Sequence, residues 1–279
     1  MKKVVVLAVC VLLLGVTVAT ILSGCAQDDS DKLKVVTTTS LLECIVENVG
    51  GDRVEVVNII PPAQCPGHFD VTPQDMQKLA DADLFFRHGW QGEQFSQDLI
   101  DSADNPDLTV VTSQVAGNWM TPTAYSAAID EVEAALSQAD SANSEAYSAA
   151  AQVYKNAIET AAAEAEGRLS TVNLSEVKVL CAEQQDGFVR WTGLSIVATY
   201  GTTDSPAVVA DLVDKGIEGN VTLVIDNLQS GQDAGVAIAG GLDCGRVILS
   251  NFPGGFDNTE TWQKTLDHNV DLILAAVGA

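Results

Sequence analysis

Basic residues are scarce in this chain. Its 279 residues include 14 Lys and Arg against 38 Asp and Glu, a formal net charge of −24. Such a surface repels phosphate backbones, which excludes nucleic-acid binding and suits a protein that works in salt or handles cations. Histidine is almost absent, with three in all, and aromatics make up 5%. Signatures of catalysis are missing too: there is no G-x-S-x-G elbow, no phosphate-binding loop and no H-E-x-x-H. One histidine, His68, lies close in sequence to a cysteine, Cys65, and no third group is evident to orient it. The chain therefore does not read as an enzyme.

What is present begins with a leader. Lys2 and Lys3 precede an apolar run from Val4 to about Leu22, and "LSGC" follows, ending at Cys25. A basic start, an apolar stretch and small residues before a cut mark a secretory signal. Small residues just before a cysteine, with the polar "AQDDSDK" after it, resemble a prokaryotic lipoprotein signal; this implies cleavage before Cys25 and a lipid on its thiol. An uncleaved membrane anchor is the alternative, and either way the globular part lies outside the cytoplasm. With Cys10 and Cys25 set aside, Cys44, Cys65, Cys181 and Cys244 remain. Outside the cytoplasm an even number permits disulfides, a Cys44–Cys65 bridge among them, without giving the pairing.

The remaining chain reads as alternating strand and helix. Strands are expected at Lys34 to Thr39, Arg53 to Ile60, "DLFF" and Asp107 to Val111. Ser40 is a candidate cap for the first helix. Thr72–Pro73 and Thr121–Pro122 are cap-and-proline helix starts, the latter for a helix to about Ala139. From Asn143 to Leu169 there is no proline and one late glycine. Tyr147, Ala150, Tyr154, Ile158, Ala161, Ala165 and Leu169 recur there at helical spacing. Strands return at Val177 to Cys181, "LSIVAT", Val221 to Asp226 and Arg246 to Ser250. A helix after Ser205–Pro206 lies among them, and a last one spans Thr259 to Val277. The pattern predicts an α/β class: two lobes, each a mainly parallel sheet flanked by helices, joined by one long linking helix. The expected division is a signal at 1–24, a tether at 25–33, an N-terminal lobe at 34–142, the linking helix at 143–169 and a C-terminal lobe at 170–279.

Ligands of open parallel sheets bind beyond the carboxyl ends of the strands. The residues following each predicted strand are rich in polar and metal-capable side chains: Thr38 to Ser40 and Cys44; Cys65, His68 and Asp70; Arg87, His88 and Trp90; Gly117, Asn118 and Trp119. In the second half they are Cys181, Glu183, Gln184 and Gln185, then Asp226 and Asn227, then Ser250 and Asn251. Cys244 falls before its strand and reads as structural.

"TTTS", "GGDRVEVVNIIPP", "TPQDMQKLADADLFF", "HGWQGE", the W-x-x-P helix start, the long helix and "GL" after "DGFVRW" together resemble the zinc/manganese-type metal ABC transporter solute-binding lipoproteins. The run from Gly50 to Glu93 is the most specific part. The resemblance implies a transition-metal ion, zinc or manganese, as cargo between two lobes. It also implies an ABC permease and ATPase as partners, a lipid anchor in the cell membrane and action as a monomer. That family holds its metal with a His in the first loop, a His before a tryptophan, a His or Glu in the third motif and an acid near the C-terminus. Ungapped matching puts Gly67, Gly117, Glu183, and Ser250 or Asn251 at those positions. Only Glu183 is a plain ligand, with His68 shifted by one, which argues against a tight four-ligand tetrahedral site.

Two readings of the cleft follow. In one, a metal binds through Cys65, His68, Cys181 and Glu183, with Cys44 or His88 in support; thiolate and imidazole suit soft or borderline ions. In the other, glycines in place of histidines admit a chelated metal or a small organic molecule, which stacks on Trp90 or Trp119 and pairs with Arg87, Glu183 and Gln184. His88, Asn118, Asp226, Ser250 and Asn251 complete the expected lining. A surface adhesion lipoprotein is the remaining alternative.

Overall fold

The computed structural model describes residues 32–90, 93–202 and 205–278. The leader and Cys25 lie outside them. Among the described residues no helix is long and apolar enough to cross a membrane.

The first half builds β1 (Leu33–Thr37), α1 (Ser40–Gly50), β2 (Val54–Asn58), α2 (Pro73–Ala80), β3 (Leu84–Arg87), α3 (Phe95–Ala103) and β4 (Thr109–Thr112). Its four strands lie parallel in the order β2-β1-β3-β4. The helices α4 (Pro122–Ala139) and α5 (Ser144–Leu169) follow. The second half builds β5 (Lys178–Ala182), α6 (Asp186–Trp191), β6 (Ser195–Tyr200), α7 (Pro206–Gly219), β7 (Leu223–Asn227), α8 (Leu228–Gly231), α9 (Val236–Leu242), β8 (Gly245–Leu249) and α10 (Trp262–Val277). These strands are again parallel, in the order β6-β5-β7-β8. Two parallel four-stranded sheets flanked by helices are the expected class. Both sheets are covered on each face, which is why "LFF" and "LVI" read as unbroken apolar runs.

Local chemistry explains the helix starts. Thr72 caps α2 in a full capping box: its Oγ1 accepts from the Asp75 amide, and Asp75 Oδ2 accepts from the Thr72 amide at 3.0 Å. Ser205 Oγ accepts from the Val208 amide at the head of α7. Ser40 is not the cap of α1. Thr39 holds that position, and neither side chain bonds the helix amides, because both hydroxyls are engaged elsewhere.

The helix α5 has 26 residues, about 39 Å at 1.5 Å per residue. It buries Tyr147, Ala151, Tyr154, Ile158, Ala162, Ala165 and Leu169. This is the expected stripe with Ala151 and Ala162 in place of Ala150 and Ala161. The stripe joins α1, α4 and α10 in one continuous apolar core containing Val35 and Phe86 of one sheet and Val179, Ile225 and Leu249 of the other. Trp262 sits at its centre, stacked on Tyr125 at 5.1 Å, with its indole Nε1 donating to the Trp119 carbonyl at 2.8 Å.

Candidate functional site

The strand orders decide where a cleft forms. Leaving β1 and β3, or β5 and β7, the chain departs to opposite sides of the sheet, and a crevice opens between those loops. The crevices of the two sheets face one another and enclose a cavity of about 540 Å³. The N-terminal lobe lines it with Leu41, Cys65, Pro66, Gly67, Trp90, Gly117, Asn118 and Trp119. The C-terminal lobe lines it with Glu183, Gln184, Asp186, Gly187, Asn227, Gln229, Ser230, Asn251 and Phe252.

Amides join the two walls. Asn118 Nδ2 donates to the Gln184 carbonyl and to Asn251 Oδ1, each at 2.9 Å. Asn251 Nδ2 donates to the same Gln184 carbonyl at 2.9 Å, while Asn118 Oδ1 accepts from the Met120 amide. A Cβ on Gly187 would meet that of Asn118 at 2.9 Å, so glycine permits the close approach. Further links run from Gln229 Nε2 to the Pro62 carbonyl (2.9 Å), and from Ser40 Oγ to the Pro253 carbonyl (2.7 Å). Gly117, at φ 97°, adopts the left-handed conformation glycine favours, and an added Cβ would point into open space.

Trp90 is 36% exposed on the cavity wall. One face lies on the His88 ring, 3.7 Å between centroids and 12° between planes. The Phe252 ring is parallel to Trp90 at 6.3 Å, and Trp119 meets it edge-on. Behind Trp90 lies a buried polar layer. His88 Nε2 bonds Thr39 Oγ1 at 2.8 Å, and Nδ1 has no partner among the described residues. Burial depresses the imidazole pKa to about 3, so it is neutral. Glu93, 3% exposed, accepts from Thr38 Oγ1 at 2.5 Å; burial lifts its pKa to about 8 against that hydrogen bond.

Of the predicted metal set, Cys65 and Glu183 reach the cavity and the other two do not. His68 is exposed on the short turn Pro66–His68, outside the cavity. Cys181 is fully buried in the apolar core, where burial pushes its thiol up to about 12 and keeps it protonated. The strand alternation carries its side chain into the core, not toward the cleft. Cys44 is likewise buried, its Sγ 3.4 Å from the Glu260 carbonyl, its pKa also raised to about 12 by burial. Cys44, Cys65, Cys181 and Cys244 are all free thiols, so no Cys44–Cys65 bridge forms. Among the described residues no group of three or more His, Cys, Asp and Glu side chains could hold a metal ion.

The expected lining is corrected at four places. His88 lies beneath Trp90, not on the surface of the cavity. Asp226 points to the far face of its sheet, accepting from Tyr200 Oη and the Gly235 amide (2.7 Å each) and pairing with Arg246. Its strand neighbour Asn227 takes the cleft side instead. Ser250 is buried, accepting from Gln229 Nε2 at 2.8 Å and donating to the Phe252 carbonyl. Arg87 turns to Thr112, Ser96 and Gln97. Trp90, Asn118, Trp119, Gln184 and Asn251 line the cavity. Sequence reasoning missed Gln229 and Phe252; they lie two and three residues beyond a strand's end, the signal that could have found them.

Facing parallel sheets with a polar, aromatic cleft at their carboxyl edges define a two-lobed solute-binding protein. Residues 35–276 match the family of the periplasmic zinc-uptake complex component A, and the chain belongs to that family. The family consists of substrate-binding components of ABC transporters and is not enzymatic. Among relatives, a manganese-binding lipoprotein of Halalkalibacterium halodurans is 30% identical over 113 residues, 38% of each chain. A manganese ABC transporter substrate-binding lipoprotein of Streptococcus pneumoniae is 42% identical over 90 residues, 32% of this chain and 29% of that one. The matched segments thus span roughly a third of those relatives' length. The nickel-complexed FpvC of P. aeruginosa shares the fold at a TM-score of 0.77 and 20% identity, over 89% of this chain and 98% of the other. A manganese-bound periplasmic protein of Candidatus Liberibacter asiaticus does so at 0.77 and 16%, over 88% and 99%.

Proposed function

We propose that this protein is the extracytoplasmic substrate-binding component of a metal-class ABC importer. It is tethered by a lipid on Cys25, captures transition-metal cargo in the interlobe cleft and presents it to a permease driven by a cytoplasmic ATPase. The observation that carries this reading is the cavity at the carboxyl edges of both sheets, where loops from both lobes meet. Family membership, the metals named for relatives and a surface charge of −24 support a cationic cargo. Within the cleft, Cys65 and Glu183 are the members of the predicted ligand set positioned to touch that cargo. Among the described residues the Glu183 carboxylate has no hydrogen-bond or ion-pair partner, and Arg190 pairs with Asp186 at 2.8 Å.

Mass spectrometry of the mature protein purified without chelator tests the proposal, followed by calorimetric titration of the wild type, Cys65→Ser and Glu183→Gln. Co-purifying metal, weakened at least tenfold by either substitution, supports it. Absence of any cargo, metal-bearing or not, from protein isolated out of its native membrane would count against it.

A further inference from the structure

Resting on the cleft as the cargo site, we infer that the cargo is a compact neutral or cationic solute with a flat unsaturated face. If it contains a metal, it brings most of the metal's ligands with it. Of the positions that the family resemblance assigns to metal ligands, Gly67 and Gly117 carry no side chain, Ser250 is buried, Asn251 is engaged, and Glu183 alone is open to the cavity. Asn118, Gln184 and Asn251 close on one another in an amide knot, and Gly117 contributes no side chain. What remains is Cys65 and Glu183, too few to enclose a bare ion.

Size points the same way. A cavity of about 540 Å³ lies in the range of small-molecule sites, whereas a water occupies about 30 Å³. The surface is that of an organic site. The Trp90 face is exposed and held rigid by the His88 ring behind it, with the Phe252 ring parallel at 6.3 Å. Neutral amides of Asn118, Gln184, Asn227 and Gln229 surround it. Charge selects among organic solutes. The described lining holds carboxylates and no Lys, Arg or His; Asp186 is paired, and Glu183 has no partner among the described residues. An indole face and a carboxylate lining one cavity attract a cation and give an anion nothing to bind.

The test uses the full mature chain and four probes: zinc chloride, the zinc–phenanthroline complex, N-methylquinolinium and benzoate. The flat cationic probes should raise Tm and quench tryptophan emission, while benzoate does neither. Trp90→Ala should weaken the bound probe at least tenfold and Glu183→Gln at least threefold; the latter removes an exposed charge and leaves the fold intact. Response to the zinc complex without N-methylquinolinium identifies a chelate as the source, and the reverse identifies a metal-free organic cation. Stoichiometric binding of zinc chloride alone, unchanged in Trp90→Ala, overturns the inference while the cleft reading stands. Benzoate binding as tightly as the cations overturns it as well. If no probe binds wild type, both the inference and the cleft reading fall.

Discussion

At the scale of single residues, two buried titratable groups behind Trp90 set opposing pH dependences. His88 is neutral in the fold with its pKa lowered to about 3, so its contribution to stability is present above the unfolded value near 6.5 and is lost as pH falls toward 3. Glu93 holds its proton to about 8 against an ordinary 4.5. Its contribution is complete below 4.5 and disappears as pH rises through 8. The two slopes oppose one another between about 4.5 and 6.5, and above that range Glu93 acts alone. Wild-type Tm should therefore fall between pH 6.5 and 8 through loss of about 2 kcal/mol, at 1.4 kcal/mol per pH unit. Glu93→Gln, scanned by calorimetry over the same range, should be flatter. An equal slope in both would disprove the assignment. No sequence pattern disclosed this layer; His88 read as a cleft residue because it follows a predicted strand's carboxyl end, while its burial was not visible.

At the scale of elements, α5 and α2 carry separable contributions. Ile158 is fully buried in the stripe of α5, whereas Val153 on the same helix is 69% exposed. Ile158→Ala should cost about 3 kcal/mol in urea unfolding and Val153→Ala close to nothing. Equal losses would mean that α5 is not seated by this stripe. Thr72→Ala breaks the capping box and should cost about 1 kcal/mol, with Thr72→Ser recovering most of it. These elements were legible from spacing because helix burial repeats every 3.6 residues and Thr-Pro starts leave a local mark. The one-residue shifts at Ala151 and Ala162 arise because a long run of alanines offers two near-equivalent stripes. Which one is buried depends on where Tyr125 and Trp262 stand in neighbouring helices.

At the scale of the whole molecule, the protein's own hydrogen bonds and core join the two lobes. The amide knot at Asn118, the Gln229–Pro62 and Ser40–Pro253 bonds, and a core running through α1, α4, α5 and α10 span both halves. Extensive dialysis against EDTA should leave Tm and the solution scattering profile unchanged; a large drop would show that a bound ion holds the lobes together. Asn118→Ala removes two donors from the Gln184 carbonyl and Asn251 and should lower stability by about 1–3 kcal/mol. Hydrogen exchange around Gln184 to Gly187 should rise in step. Unaltered exchange there would mean that the knot is incidental to closure.

The α/β class, the parallel sheets, the long linking helix and the edge at which a cavity opens were all contained in the sequence. Periodicity, turn chemistry and strand–helix alternation are local properties, and each leaves its trace within a dozen residues. Which of the candidate side chains enter the cleft was decided only by tertiary structure. One-residue alternation along β5 and β7 turns Cys181 and Asp226 away and brings Asn227 inward. The meeting of Asn118, Gln184 and Asn251 joins positions up to 133 residues apart. A side chain's direction depends on the pleat of its strand and on what packs above it, and neither is fixed until the sheets and helices close around a shared core.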